Sequence, residues 1–161
     1  MANLPGIVGA VVLGVVMSQF PEFTQQYQQR LGGAVDELRI ITDEFDRAAT
    51  DQGLSRDEAL AAYTGSEFLE IRAFDLEATF ARFERLSEDL TILENANALR
   101  RLKNFTHMTD NTLVERTWQA FKPAVPVTSE GLTFAAFGGV AGFAGFAGLS
   151  RLVFRRRRKY A

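Results

Sequence analysis

Apolar residues fall along this chain in two patterns. At each end they run almost without interruption, and between the ends they recur at steps of three and four. The first run, LPGIVGAVVLGVVMSQF, covers residues 4–20. Its length sits near the lower limit for crossing about 30 Å of hydrocarbon as a helix. A cleaved signal peptide is the alternative, but no basic residue precedes the run and Val16-Met17-Ser18 makes only a fair cleavage site, so a retained span is expected. The second run, GLTFAAFGGVAGFAGFAGLSRLVF, covers residues 131–154, and its only charge is Arg151, close enough to the end to snorkel.

The middle has a helical period. Phe23, Tyr27, Leu31, Ala34, Leu38, Ile41, Phe45 and Ala48 predict one amphipathic helix, continuous with the first span and stopped by Gly53. Pro21 suits a first turn or a kink, and Gly32-Gly33 suggests a bend or a close contact. Ser55-Arg56-Asp57-Glu58 reads as a capping box opening a short helix that ends near Gly65. From Ser66, Leu69, Leu76, Phe80, Phe83, Leu86, Leu90, Leu93 and Leu99 keep helical spacing to about Lys103. That predicts a helix of roughly 55 Å. The two long helices need each other to bury their stripes. Asp110 then caps a segment carrying Leu113, Val114, Trp118 and Phe121, either a helix at the membrane surface or a core helix closing a bundle. Pro123 and Pro126 predict an extended connector, and Thr128-Ser129-Glu130 can cap the second span.

The expected fold is an all-α membrane protein, with two transmembrane helices flanking a long antiparallel helical hairpin and short extra helices. Its parts are transmembrane helix 1 (4–20), a helical periplasmic hairpin domain (21–109), a membrane-proximal helix and proline-containing connector (110–130), transmembrane helix 2 (131–154) and a basic cytoplasmic tail (155–161).

Both spans carry small residues in register. Gly131, Gly138, Gly142 and Gly145 fall on one stripe, and Gly6, Ala10 and Gly14 repeat every four residues. Such grooves let helices approach closely when lipid removes the hydrophobic incentive to associate. They are expected either to pack on each other within the chain or to receive another subunit.

Charge assigns the sides. The net charge of −2 conceals 20 acidic against 12 basic residues between Pro21 and Glu130. The remaining basic residues are Arg151 and the block Arg155, Arg156, Arg157, Arg158 and Lys159. Directly after a span, that block reads as a topology signal and anionic-lipid anchor rather than a nucleic-acid site. It is expected in the cytoplasm, which returns the N-terminus there and leaves the middle in the periplasm. Trp118 and Lys122 suit the headgroup zone.

No catalytic constellation stands out. The chain has no cysteine and a single histidine, His107, expected to be structural or at the surface. Asp43, Glu44, Asp46 and Asp51 lack the alternation of a calcium loop and read as a solvated helix face. No phosphate-binding glycine loop is present, and no catalytic residue, metal or cofactor is expected. Gln25, Gln26, Tyr27, Gln28 and Gln29 form a polar cluster near the membrane exit. They are either a partner contact or a plain solvated turn, since Gln is a good helix former.

The stretch SQFPEFTQQYQQRLGGAVDEL (18–38), with GLSRDEAL (53–60) and VPVTSEGLTFA (125–135), resembles an uncharacterised family of proteobacterial inner-membrane proteins catalogued only as a domain of unknown function. The resemblance covers nearly the whole chain. It implies the two-span layout and an inner-membrane location, and carries over no active-site residue. The expected function is a non-enzymatic accessory or assembly subunit of a larger membrane complex, respiratory or photosynthetic ones being natural examples. It would contact lipids and other subunits through its small-residue faces and its hairpin. The alternative is a scaffold that assembles from copies of itself. An enzyme or transporter is poorly supported, because no charge lies deep in either span.

Overall fold

A computed structural model describes residues 3–125 and 127–157, with side chains at all of these except 98 and 152–157. Every regular element among them is helical: α1 (Leu4–Asp51), α2 (Arg56–Ala61), α3 (Glu67–Glu94), α4 (Ala98–Lys103), a 3-10 turn (Phe105–His107), α5 (Asn111–Ala120) and α6 (Ser129–Arg157). The contacts divide the chain into two compact units, Met1–Gln26 with Trp118–Ala161, and Tyr27–Thr117.

The unit built from the chain ends pairs the first part of α1 with α6. Gly6 faces Phe143 and Ala147, Gly9 faces Gly142 and Phe146, Leu13 faces Gly138, and Gly14 faces Ala135 and Gly139. Numbers rising on one helix fall on the other, so the two run antiparallel. The Phe20 ring stacks on Phe134 at 5.4 Å between centroids. The approach is backbone to backbone: a Cβ at Gly142 would land on the Gly9 carbonyl, and one at Gly138 on the Leu13 carbonyl. Only glycine permits this spacing at those positions. Both helices contain a stretch long and apolar enough to cross a membrane.

Pro21 lies inside α1 rather than at its start. It can donate no N–H to the preceding turn, and the buried Ser18 and Thr24 hydroxyls on either side donate to the carbonyls of Val15 and Pro21. The Gln19 side chain grips the connector reciprocally, its amide nitrogen donating to the Ala124 carbonyl and its oxygen accepting from the Ala124 N–H, each at 3.1 Å. Phe23 meets Trp118 and Phe121 edge-on, and Trp118 stacks on Phe121. Thr128 caps α6 by accepting from the Gly131 N–H.

The middle unit has a conventional core. Tyr27, Leu31, Val35 and Leu38 of α1 cluster with Leu86 and Leu93 of α3 and Leu113 of α5. Each fully buried leucine contributes about 1.5–3 kcal/mol from area removed from water. Further along, the Phe45 ring packs on Phe80 and Tyr63. The Arg56 guanidinium sits 4.7 Å over the Phe80 ring while binding Asp46 in a two-point pair.

Local chemistry sets the helix ends. Gly53 and Gly65 take positive φ values of 69° and 92°, a region that L side chains rarely enter. Ser55 and Glu58 form the complete capping box, and Ser66 caps α3. Two expectations of length are corrected. α2 stops at Ala61, short of Gly65. α3 stops at Glu94, about 42 Å long rather than 55 Å. Asn97 there takes an extended conformation and accepts from the Arg100 N–H, which starts α4 as a separate helix. The Gly32-Gly33 pair interrupts nothing, and a Cβ at either would meet no atom within 4 Å.

Candidate interaction surface

The expected packing residues divide into two groups. Gly6 and Gly14 of α1 are buried, Ala10 is half-buried, and Gly131, Gly138 and Gly142 of α6 are buried. Gly145 is exposed with nothing near it, so it lies off the packed stripe. Gly9 was not singled out by the four-residue repeat, yet it makes the tightest approach, to Gly142. The buried positions step from Gly6 to Gly9 to Gly14, following the mean helical period rather than a strict interval of four. Outside this seam the helices present Ile7, Val8, Val11, Val12, Val15 and Val16 on α1. On α6 the outward set includes Phe137, Val140 and Leu149.

The polar cluster after Pro21 does not form one surface. Tyr27 is a correction: it is 0 % exposed and belongs to the core of the middle unit, as the step of four from Phe23 and to Leu31 requires. Its hydroxyl is pushed up to about 12, first by burial and then by the Asp89 and Asp110 carboxylates, against a smaller opposing effect of the Asp110 backbone. The hydroxyl makes no hydrogen bond of good geometry. Gln26 is half-buried and donates to the Lys122 carbonyl, whereas Gln25 and Gln29 are exposed.

Trp118 is 69 % exposed despite its ring contacts. Of the basic block, Arg158 and Lys159 lie outside the described residues. The backbone of Arg155, Arg156 and Arg157 continues α6, and their side chains also fall outside.

A buried polar cluster was not read from the pattern. Asp89 is almost fully buried on α3, accepting from the Thr109 hydroxyl at 2.6 Å and lying 3.1 Å from His107 Nδ1. Asp110, also buried, accepts from Arg82 at 2.8 and 3.0 Å and from the Leu113 N–H at 3.0 Å. Burial pushes the Asp110 carboxyl up, but the Leu113 N–H and the Arg82 guanidinium outweigh it and hold it below 3.8. These groups satisfy one another and pin α5 and the 3-10 turn to α3, which is a structural task. The only advance signal was an acid at a core-facing position of α3, seven residues after Arg82.

In the acidic run of α1, Asp46 is committed to Arg56, whose hydrogen bond holds that carboxyl below 3.8. Among the described residues, no three His, Cys, Asp or Glu side chains come together as a metal site. A cleft of about 190 Å³ is lined by Phe45, Ala49, Leu54, Ala59, Ala62 and Tyr63 among others. It is smaller than the roughly 300–1,000 Å³ usual for small-molecule sites.

Residues 3–159 match a family model described as "Protein of unknown function (DUF2937)". No curated protein and no solved structure matches the chain.

Proposed function

The chain belongs to the family of proteins of unknown function called DUF2937, and we propose that it is a non-enzymatic accessory or assembly subunit of a larger complex in a bacterial inner membrane. Both apolar stretches cross the bilayer, both termini face the cytoplasm, and the middle unit stands in the periplasm as an antiparallel hairpin of α1 and α3. The observation that carries this reading is the glycine seam. Two helices lock together through backbone contact, which leaves a continuous outward coat of Val, Ile, Leu and Phe. That coat suits lipid or another helix and would be a liability in water. The contact of Phe45 with Phe80, and of both Tyr27 and Leu93 with one core, supports the hairpin. The mutually satisfied polar cluster favours contacts over chemistry.

The alternative, a scaffold built from copies of the chain, draws on Gly145 and Gly148, which have open space around them on α6. Affinity purification of the full chain from native membranes in mild detergent separates the readings. Foreign subunits co-eluting at fixed stoichiometry support the accessory role. A regular homo-oligomer supports the scaffold. A monomer without companions contradicts both.

A further inference from the structure

The middle unit is acidic except in one segment. From residue 27 to residue 94 it carries 16 Asp and Glu against 7 Arg, whereas residues 95–109 carry Arg100, Arg101 and Lys103 and no acid. This segment contains α4 and the 3-10 turn. It presents Leu99, Leu102 and Phe105 to the outside, at 51, 40 and 59 % exposure. Apolar residues three apart interleaved with cations form a basic amphipathic face. Arg100, Arg101 and Lys103 make no ion pair among the described residues, and Arg101 Nε is buried without a hydrogen-bond partner.

The segment is held rigidly at its far end by His107 and Thr109 on Asp89. It follows directly on Leu93 and Ala96, and Leu93 shares a core with Tyr27 and Leu31. The chain tethers this unit to the first apolar run, Tyr27 following Phe20 by seven residues. Of the other exposed apolar residues on this unit, Phe68, Ile71 and Phe74 neighbour Glu67, Glu70 and Asp75, and Ile40 and Ile41 lie between Asp36, Glu37, Asp43 and Glu44, so an anionic surface repels them.

We propose that residues 98–107 dock on the anionic lipid headgroups of the membrane that α1 and α6 cross, with Leu99, Leu102 and Phe105 entering the interface and Arg100, Arg101 and Lys103 pairing with phosphates. The inference rests on the two-span reading. Lipid electrostatics favours each cation near such a surface, and the apolar residues supply the shallow insertion.

The chain has no cysteine, so single thiols can report on each reading separately. Leu102→Cys and Val12→Cys full-length proteins, labelled with bimane, are placed in nanodiscs of phosphatidylcholine or of equal parts phosphatidylcholine and phosphatidylglycerol. Quenching is read with nitroxide-bearing lipid. The label at residue 12 is quenched in both bilayers. The label at residue 102 is quenched at least about twofold more with phosphatidylglycerol. Arg100→Gln, Arg101→Gln and Lys103→Gln together remove that gain at unchanged circular dichroism. Should the triple variant misfold, Phe105→Ser, which keeps the charges, is expected to weaken quenching at residue 102. Quenching at residue 12 with none at residue 102 in either lipid overturns the docking and leaves the spans intact. No quenching at residue 12 overturns both. Shielding of residue 102 only in native membranes assigns the face to a protein partner and overturns the lipid reading.

Discussion

In the unit made from the chain ends, the meeting residues are glycine, alanine and phenylalanine; in the middle unit they are leucine, valine and tyrosine. The first seam brings the Gly9 and Gly142 backbones together and leaves valines outside. The second buries the large side chains of Tyr27, Leu31, Val35 and Leu86 almost completely. On the two-span reading proposed above, the contrast follows the solvent. In water, burying Leu86 or Leu31 is the driving force. In hydrocarbon that force vanishes, and association depends on close contact that only small residues allow.

The largest expected effect comes from filling the glycine seam. Gly142→Leu or Gly138→Leu puts side-chain atoms where the Gly9 or Leu13 carbonyl lies. Disulfide formation between Ala10→Cys and Gly139→Cys in mild detergent should fall about tenfold or more in either variant. Gly145→Leu, with open space around it, should leave the yield unchanged. Equal loss from Gly145→Leu would break the contrast.

Next comes the leucine core. Leu86→Ala should cost about 2–5 kcal/mol of the stability of the middle unit in urea titration. Leu132→Ala, on an exposed position of α6, should cost less than about 0.5 kcal/mol.

Acid should then distinguish the units. Asp46 and Asp110 both have pKa values lowered from 3.8 by folding. A lowered pKa contributes stability above the unfolded value, and that stability is lost as pH falls through the folded value. The urea midpoint of the middle unit should therefore fall below about pH 4, while the glycine seam, which contains no carboxylate, should not respond. Asp110→Ala, which removes a cap and a partner of Arg82, should cost about 1–2 kcal/mol at pH 7 and flatten this response.

Tyr27→Phe is the mildest. Removing a buried hydroxyl with no well-formed hydrogen bond should change stability by less than about 1 kcal/mol, in the stabilising direction. Because the Tyr27 hydroxyl is raised from 10.0 to about 12, the parent loses stability relative to the variant as pH rises from 10 through 12. Absorbance titration should show a late tyrosine ionisation in the parent chain that the variant has lost.

The helix starts were legible because they depend on local chemistry. Ser55, Ser66 and Asp110 each bond an N–H three residues on, as their sequence positions required. The break at Asn95-Ala96-Asn97 was not, because Leu99 continues the apolar spacing while Asn97 is equally able to cap a new helix. Tyr27 was legible twice over and in conflict: its glutamine neighbours suggested a surface, and its period with Phe23 and Leu31 placed it inside. Period prevailed because burying a ring outweighs the polarity of adjacent positions that face elsewhere on the helix. The role of Gly9 and the pairing of Asp89 with Thr109 and His107 required three-dimensional proximity that no linear spacing encodes.

The layout is tested most directly by thiol accessibility in intact cells, with Asn3→Cys, Gln52→Cys and Arg157→Cys as separate variants. A membrane-impermeant maleimide should modify residue 52 once the outer membrane is breached, and residues 3 and 157 only after the inner membrane is permeabilised. Modification of residues 3 and 157 from opposite sides, or of all three at once, would contradict two spans with a periplasmic middle.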